Sequence, residues 1–457
     1  MSNYETLRLR HAELFRELMP AYLTRLEWDT ATLQRHRMRE LRRVFASARD
    51  TPGYRRRLGQ IDPATATEAD LASIPPVTKA ELMTNFDDFL TDRRLSQDVV
   101  EGHLANLTDD AYLLNEFHVV ASGGSSGTRG IFIYDREAWA VSFLTMVRAR
   151  VRHLRADQAI GLTPVRAMVA AGKVTHMTYA FAQTFREAAN TTAIPATLPL
   201  AAIVERLNAL QPVVLAGYPS VLHALAGAAL DGRLTIQPRI VGPVSEPLLP
   251  EMRRAMEEAW HCPILNVYGT SEGVSAASCG KGRGMHLSED VAIFEPVDRD
   301  GRPVRSGERA AKMYITNLYN HTQPLIRYEL TDEVTLIDEP CPCGSAMRRI
   351  DDIAGRSDDV FTYADGTILH PLVFRSRLGS ERNIIEYQVH QTATGADVSV
   401  RVQGSLDQVT LAASLQRDLE RAGLARATVT VAIVASFDRQ QTGKLKRFFP
   451  IDTKGAG

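Results

Sequence analysis

The stretch Ser122-Gly123-Gly124-Ser125-Ser126-Gly127-Thr128-Arg129-Gly130, followed directly by Ile131-Phe132-Ile133-Tyr134, decides how the chain is read. Its nine residues hold four glycines, three serines and a threonine, set between the β-prone runs 117–120 and 131–134. Glycines let a backbone turn tightly and come close to a ligand, because no Cβ stands in the way. Hydroxyls and unpaired N–H groups in such a turn make a concave surface that accepts anions. The pattern predicts a phosphate loop between two strands. A flexible surface linker is the weaker alternative, since linkers rarely join two β-rich runs this abruptly. Neither G-x-x-x-x-G-K-[ST] nor G-x-G-x-x-G is present, so a nucleotide bound here is held by a different fold.

At 457 residues the chain exceeds one ordinary core, which predicts two or three domains. A hydrophobic content of 44% and a charged content of 23% are those of a soluble globular protein. The formal net charge of −1 argues against a nucleic-acid binder, which usually carries a basic excess. No apolar run approaches the roughly 20 residues of a membrane span. The start, Met1-Ser2-Asn3-Tyr4-Glu5, lacks the charged-then-apolar form of a secretory signal. A cytoplasmic protein with neither nucleic acid nor membrane as partner is expected. The four cysteines do not form a disulfide framework. Cys341 and Cys343 are one residue apart with Cys279 upstream, and in a reducing compartment such clustering points to metal binding more than to bridges.

Outward from the glycine-rich stretch, residues 1–50 read as helix with a basic stripe best explained as a solvated face. Thr51-Pro52-Gly53 ends that segment. Thr78 is expected to cap a helix, with Glu81 completing a capping box. Beyond residue 137, helix gives way to alternation of short β-prone runs at 213–216, 239–241 and 264–267 with helices at 200–210, 219–230 and 247–260. Such alternation predicts a mainly parallel, layered α/β sheet, with ligands at the carboxyl ends of its strands. The run 264–267 leads into Tyr268-Gly269-Thr270-Ser271-Glu272-Gly273. A small-residue loop with one carboxylate at a strand end suits a Mg²⁺–phosphate site; an ordinary turn with a helix-capping Glu suits it equally well. From 290 to 340 the texture turns β, with Asp300-Gly301 as a hairpin signal. Segments 325–332 and 353–359 each set an Arg and an Asp beside apolar residues, which permits phosphate and ribose contacts or plain ion pairs. The last hundred residues read as a separate small unit, with strands at 384–391, 397–403 and 427–435 and a helix at 406–422. It ends in a polar turn, Gln440-Gln441-Thr442-Gly443-Lys444, readable as a mobile loop carrying one charge or as a solvated tail.

Together and in this order, the segments resemble the adenylate-forming superfamily of acyl- and aryl-CoA ligases, in its phenylacetate–CoA ligase-like branch. The resemblance rests on Thr51-Pro52-Gly53-Tyr54-Arg55, Pro76-Val77-Thr78-Lys79 with Leu82, the loop 125–130, Tyr268-Gly269-Thr270-Ser271-Glu272, Arg327-Tyr328 with Asp332, Gly355-Arg356-Ser357-Asp358-Asp359, and Gly443-Lys444. It implies an α/β fold, with a large N-terminal domain over residues 1–355 containing a zinc-bound β-rich part. A small mobile α+β domain over residues 356–457 would carry the catalytic lysine.

By the same resemblance, Ser125, Ser126, Gly127, Thr128 and Gly130 would cradle the β- and γ-phosphates of ATP, and Glu272 would help hold Mg²⁺. Tyr268, with Gly269, Thr270 and Ser271 after it, would lie by the adenine, near Ser245, Glu246 and Pro247. Asp332 would bind the ribose hydroxyls, Arg356 would lie by the ribose and phosphates, and Asp358 would be the hinge. Lys444 would bridge carboxylate and α-phosphate; Lys444, Glu272 and Thr128 would be the catalytic group. Some members of the branch bind Zn²⁺ with three cysteines and a histidine, which Cys279, His286, Cys341 and Cys343 match. Cys262 is left over as a core cysteine. Candidate substrate-pocket residues are His176, Tyr179, Tyr218 and Gly242. The segment 162–184 departs from the phenylacetate enzymes, and Arg129 stands where many relatives have a small hydroxyl residue.

The implied activity activates a small carboxylic acid with ATP, giving an acyl- or aryl-adenylate and pyrophosphate, then passes the acyl group to CoA. The resemblance leaves an amine or carrier protein open as acceptor, and a homodimer open as assembly. A zinc-stabilised binding protein on a retired ligase fold is the reading of another class, and retention of Glu272, Asp332, Arg356 and Lys444 speaks against it.

Overall fold

The computed structural model describes the chain apart from residues 1–2, 123–129, 157–163, 171–173, 187, 197, 352, 354, 357–359, 370–371, 379–380, 382, 403, 439–444 and 452–457. Two helices, Asn3–Thr24 and Thr30–Ala48, open the chain, joined by the 3-10 turn Arg25–Glu27. Asp29 caps the second helix by accepting from the Thr32 N–H at 2.6 Å, which satisfies an amide that has no partner within the helix. Leu41, Val44 and Phe45 turn into the main core. The basic stripe is used structurally. Arg37 pairs with Glu68 and Glu289, Arg42 Nε donates to Ala66 O, and the more exposed Arg39 and Arg43 pair with Glu40. Thr78 caps the helix Lys79–Thr84, accepting from Glu81 N at 3.2 Å. The expected capping box is not completed: the Glu81 carboxylate turns to Arg57, a stronger, charged donor.

The strands His118–Ala121 and Ile131–Tyr134 pair antiparallel, in register from His118 opposite Tyr134 to Ala121 opposite Ile131. Both ends of the stretch between them are joined: Ser122 N donates to Gly130 O, and Gly130 N donates to Ser122 Oγ, each at 2.8 Å. A long helix, Arg136–Ala156, follows. The expected parallel sheet has the order Thr191–Pro195, Arg166–Ala170, Val214–Gly217, Ile240–Pro243, all parallel. Single bridges from Val241 to Ile264 and from Val244 to Val267 extend it by one more segment. At the carboxyl end of the inner strand Val214–Gly217, Gly217 is obligatory in packing terms, because a Cβ there would stand 2.4 Å from Val169 O. Helices Leu200–Leu210 and Pro219–Leu230 fall at their expected limits. The next, Pro250–Trp260, starts three residues later than expected, because Ser245 takes a left-handed φ of 65° and the following residues form a loop.

A β-rich region follows. Ala292–Val297 pairs with Lys312–Asn317, which pairs with Tyr328–Leu330, and a second sheet runs from Arg309–Ala310 to Val267–Gly269. Gly301, with φ of 83°, turns the chain where the hairpin signal lies, and Asp298 N donates to Arg302 O across it. The C-terminal sheet has the order Thr428–Ile433, Gly395–Val402, Ile384–Thr392, Phe448–Phe449, with the amphipathic helix Gln408–Arg421 burying Leu411, Leu415 and Leu419. One apolar cluster runs from Tyr218 and Trp260 beside the parallel sheet to Tyr387 and Phe448 in the C-terminal one. The layered α/β class read from the sequence is the observed one. Among the described residues no helix is long and apolar enough to cross a membrane.

Candidate active site and metal centre

The carboxyl ends of the parallel strands converge on Tyr268–Glu272. Tyr134, from the strand after the glycine-rich stretch, donates its hydroxyl to Ser271 O at 2.5 Å. Burial holds that phenol far above its ordinary pKa, with Tyr319, Glu272 and Tyr328 adding to the effect, so it stays a neutral donor. Tyr319 donates to Gly273 O at 2.6 Å and Asn317 Nδ2 donates to Glu272 O at 3.1 Å. Three side chains from two other elements thus fix the backbone of this loop. Glu272 is buried, its carboxylate accepting from Tyr328 at 3.4 Å. Tyr268 donates its hydroxyl to Asp332 Oδ2 at 2.8 Å, joining residues 64 apart in the chain. Asp332 in turn sits opposite Arg356 in the pairing of Asp332–Ile337 with Gly355–Arg356.

Glu246 spans two parts of the molecule. One carboxylate oxygen accepts from Ser220 N at 3.0 Å, at the start of helix Pro219–Leu230. The other accepts from Leu445 N at 3.1 Å, in the C-terminal region. Ser245 beside it keeps its left-handed backbone, a conformation that costs about 1–3 kcal/mol in a non-glycine residue and clusters at functional sites.

A cavity of about 120 Å³ opens at Ser245, Thr270 and Ser271 and runs between helix Arg136–Ala156 and the sheet. Aromatic walls come from Phe143, Phe181 and Phe185. Of the four candidate pocket residues, His176 lines this cavity. Gly242 lies against it: a Cβ there would be 2.8 Å from the Arg150 guanidinium, which is itself part of the lining. Tyr179 and Tyr218 lie elsewhere. Tyr179 donates to Asp109 at 3.1 Å, and Tyr218 is fully buried in the core beside the sheet. Pro247 is in the loop after Ser245, and Gly269 abuts Met146, whose methyl would be 2.5 Å from a Cβ there. Ser125, Ser126, Gly127, Thr128, Asp358 and Lys444 lie outside the described residues, and Arg356 is described in its backbone alone.

Cys279, His286, Cys341 and Cys343 form a second centre, their ligand atoms all within 4.8 Å of one another. Cys279 and Cys341 sulfurs are 3.5 Å apart, and Cys343 Sγ is 3.3 Å from His286 Nε2. These separations are close to the edges of a tetrahedron built on Zn–S of about 2.3 Å and Zn–N of about 2.0 Å. His286 Nδ1 lies 2.9 Å from Met347 O, which fixes the ring and leaves Nε2 facing the cysteines. The knuckles are shaped by glycine: Gly280 and Gly344 have φ of 76° and 79°, and a Cβ at Gly282 would be 2.9 Å from Cys341 Sγ. Burial alone would raise the Cys279 thiol, but hydrogen bonds from His286, Lys281 N and Cys341 draw it down to about 5. The donor set fits a closed Cys3His site. Cys262 is half-buried against the apolar cluster, and burial pushes its thiol up to about 11.

No family model matches the chain. Its sequence is 31% identical over 159 residues to Protein CapK of Staphylococcus aureus, an alignment covering 34% of each chain. It is 28% identical over 212 residues to the phenylacetate-coenzyme A ligase of Thermus thermophilus, covering 44% of this chain and 45% of that one. The chain thus spans between a third and a half of the length of these curated relatives. Among solved structures, 2-hydroxyisobutyryl-CoA ligase in the postadenylation state aligns with a TM-score of 0.72 at 20% identity, covering 94% of this chain and 91% of that one. The same ligase in the thioesterification state aligns at 0.59, with 20% identity, covering 93% and 91%. The chain is related in sequence to phenylacetate-CoA ligases and has the fold of the adenylate-forming acyl-CoA ligases.

Proposed function

We propose that the chain activates a carboxylic acid with ATP and transfers the acyl group to CoA. The observation that carries this reading is a largely apolar cavity lined at one end by Ser245, Gly269, Thr270 and Ser271 beside a parallel sheet, with Tyr268, bonded to Asp332, next in the chain to Gly269. Such a crevice is where open α/β sheets bind ligands. In this reading Tyr268 covers the adenine and Asp332 accepts from the ribose hydroxyls, with Arg356 beside it. The acid's chain enters the cavity. Residues 125–130 would cradle the terminal phosphates, and Glu272 would help hold a Mg²⁺ that supplies positive charge there.

A carboxylate is already ionised at neutral pH, so no base is required. Its oxygen attacks the α-phosphorus, the bond to the β-phosphate bridge oxygen breaks, and pyrophosphate leaves. The barrier is repulsion between anions, and the chain lowers it by positioning and by fixed positive charge from Lys444. Leu445, next to Lys444 in the chain, is tied to Glu246, the neighbour of the cavity-lining Ser245, and this supports Lys444 in that role. Residues 1–355 and 356–457 then form two domains, and turning about Asp358 exchanges the face presented for the second step. There the CoA thiolate attacks the acyl carbon and AMP leaves. The Cys3His centre holds a structural Zn²⁺ that ties residues 279–286 to 341–343.

The test is thioester formation. Purified protein with ATP, Mg²⁺, CoA and a panel of aryl and short alkyl acids should release AMP and give an acyl-CoA with at least one of them. AMP release and adenylate formation without any thioester would show that CoA is not the acceptor.

A further inference from the structure

Two arginines with no evident counter-charge line the cavity. Arg150 is 8% exposed and Arg166 is half-buried. The Nε of each is buried without a hydrogen-bond partner, and no ion pair among the described residues includes either. Burial, and then the charge of Arg166, pull the Arg150 guanidinium down to about 10, and burial lowers Arg166 as well. Two like charges in a low-dielectric wall are costly unless something anionic offsets them. Arg148 on the same helix, by contrast, makes a two-pronged ion pair with Asp290 at 2.6 and 2.7 Å. Arg150, only two residues further on, faces the opposite way and meets the cavity instead.

The placement is specific. Arg150 shares a helical stripe with Phe143, Met146, Val147, Val151 and Leu154, all of which line the cavity. It is the one charged member of that stripe. Met146 touches Gly269 at the mouth, so Arg150, four residues on, lies about 6 Å deeper along the helix axis. Gly242 admits its guanidinium, since any side chain there would collide with it. Arg166 is the first residue of its strand, the end away from the nucleotide side, and so sits deeper still. The cavity volume of about 120 Å³ is near the roughly 150 Å³ that accepts a benzene ring, a size that suits a short or aromatic acid.

We propose that the acid activated here carries a second carboxylate at its far end, and that Arg150 and Arg166 hold it. The acid is short or aromatic: one carboxylate reacts at the mouth while the other, about one ring-length away, stays unreacted against the two guanidinium groups. This rests on the ligase reading above and narrows its substrate class from any acid to a small dicarboxylic acid.

Carboxylate-dependent pyrophosphate exchange with matched pairs tests it: 4-carboxyphenylacetate against phenylacetate, terephthalate against benzoate, glutarate against valerate. In at least one pair the diacid is expected to exceed its monoacid partner by 30-fold or more in kcat/KM. Arg150→Met and Arg166→Met should each lower that ratio at least 10-fold, and Arg150→Lys, which keeps the charge, should retain most of it. Exchange in which every monoacid equals or exceeds its diacid overturns the inference and leaves the ligase reading intact. A wild-type diacid preference that survives both methionine variants also overturns it. Exchange with no acid at all removes the ligase reading and the inference with it.

Discussion

Tyr268 and Asp332 show how a single hydrogen bond organises a site. The phenol donates to Asp332 Oδ2 at 2.8 Å and fixes the position of that carboxylate. Tyr268→Phe keeps the ring but removes that donor from Asp332. A neutral donor's net contribution is about 1 kcal/mol, or more toward an ionised acceptor. The KM for ATP should therefore rise about 5-fold with little change in kcat, measured by pyrophosphate exchange at saturating acid. An unchanged KM would detach Tyr268 from the nucleotide. The sequence singled out both residues in short polar segments beside apolar runs, but the resemblance alone gave them nucleotide roles. Arg150 was not. It lies among Arg148, Arg152 and Arg155 on one helix, and nothing in composition marks which of these is buried. The available signal was its place on the apolar stripe with Phe143, Met146 and Leu154, a charge at a core-facing position.

At the scale of elements, the cysteine knuckles carry the clearest chemistry. Cys279-Gly280 and Cys343-Gly344 pair each thiol with a glycine in a left-handed turn, so the chain reverses without a Cβ penalty. Those two dipeptides were a signal that the cysteine spacing alone did not use. Purified protein should contain about one zinc per chain, and Cys341→Ser should lose it along with several kcal/mol of local stability, as structural sites couple metal binding to folding. Metal analysis finding less than about half an equivalent in the wild type would contradict the site. The runs read at 213–216 and 239–241 match Val214–Gly217 and Ile240–Pro243 to within two residues, whereas the other two strands of the sheet, Arg166–Ala170 and Thr191–Pro195, were not read. The misplaced start of Pro250–Trp260 has a local cause: propensity favours helix from residue 247, but the left-handed Ser245 and its loop delay it. Tyr218 was drawn to the pocket by its neighbours Gly217 and Pro219, yet as the N-cap residue of helix Pro219–Leu230 it packs into the core.

At the scale of the molecule, buried histidines set the acid limit. His11 is buried against His118 and Tyr112, and burial first, then the charge of His118, push it down to about 2. His36, His103, His223 and His321 are shifted the same way, burial being the leading cause in each. An unfolded histidine takes up a proton near pH 6.5, while folded His11 does not until about pH 2. Unfolding therefore binds protons between those values, and stability is fullest above pH 6.5 and falls as the solution is acidified. Each such group adds a slope of up to about 1.4 kcal/mol per pH unit. Denaturant titrations from pH 7 to pH 5 should show this loss, and His11→Gln should make it shallower; an equal slope in the variant would remove His11 from the account. The arrangement of the two sheets, by contrast, was not readable from sequence, because it depends on a shared apolar cluster and on Glu246 reaching Leu445, contacts that no local pattern encodes.

The central claim is that this site joins a carboxylate to the α-phosphate of ATP with Lys444 supplying charge at that step. Its most direct test is carboxylate-dependent exchange of labelled pyrophosphate into ATP, without CoA, in the wild type and in Lys444→Ala. The account predicts acid-dependent exchange in the wild type and its loss by at least 100-fold in the variant, with ATP still bound. Exchange that proceeds equally in Lys444→Ala, or that is absent with every acid offered to the wild type, would contradict it.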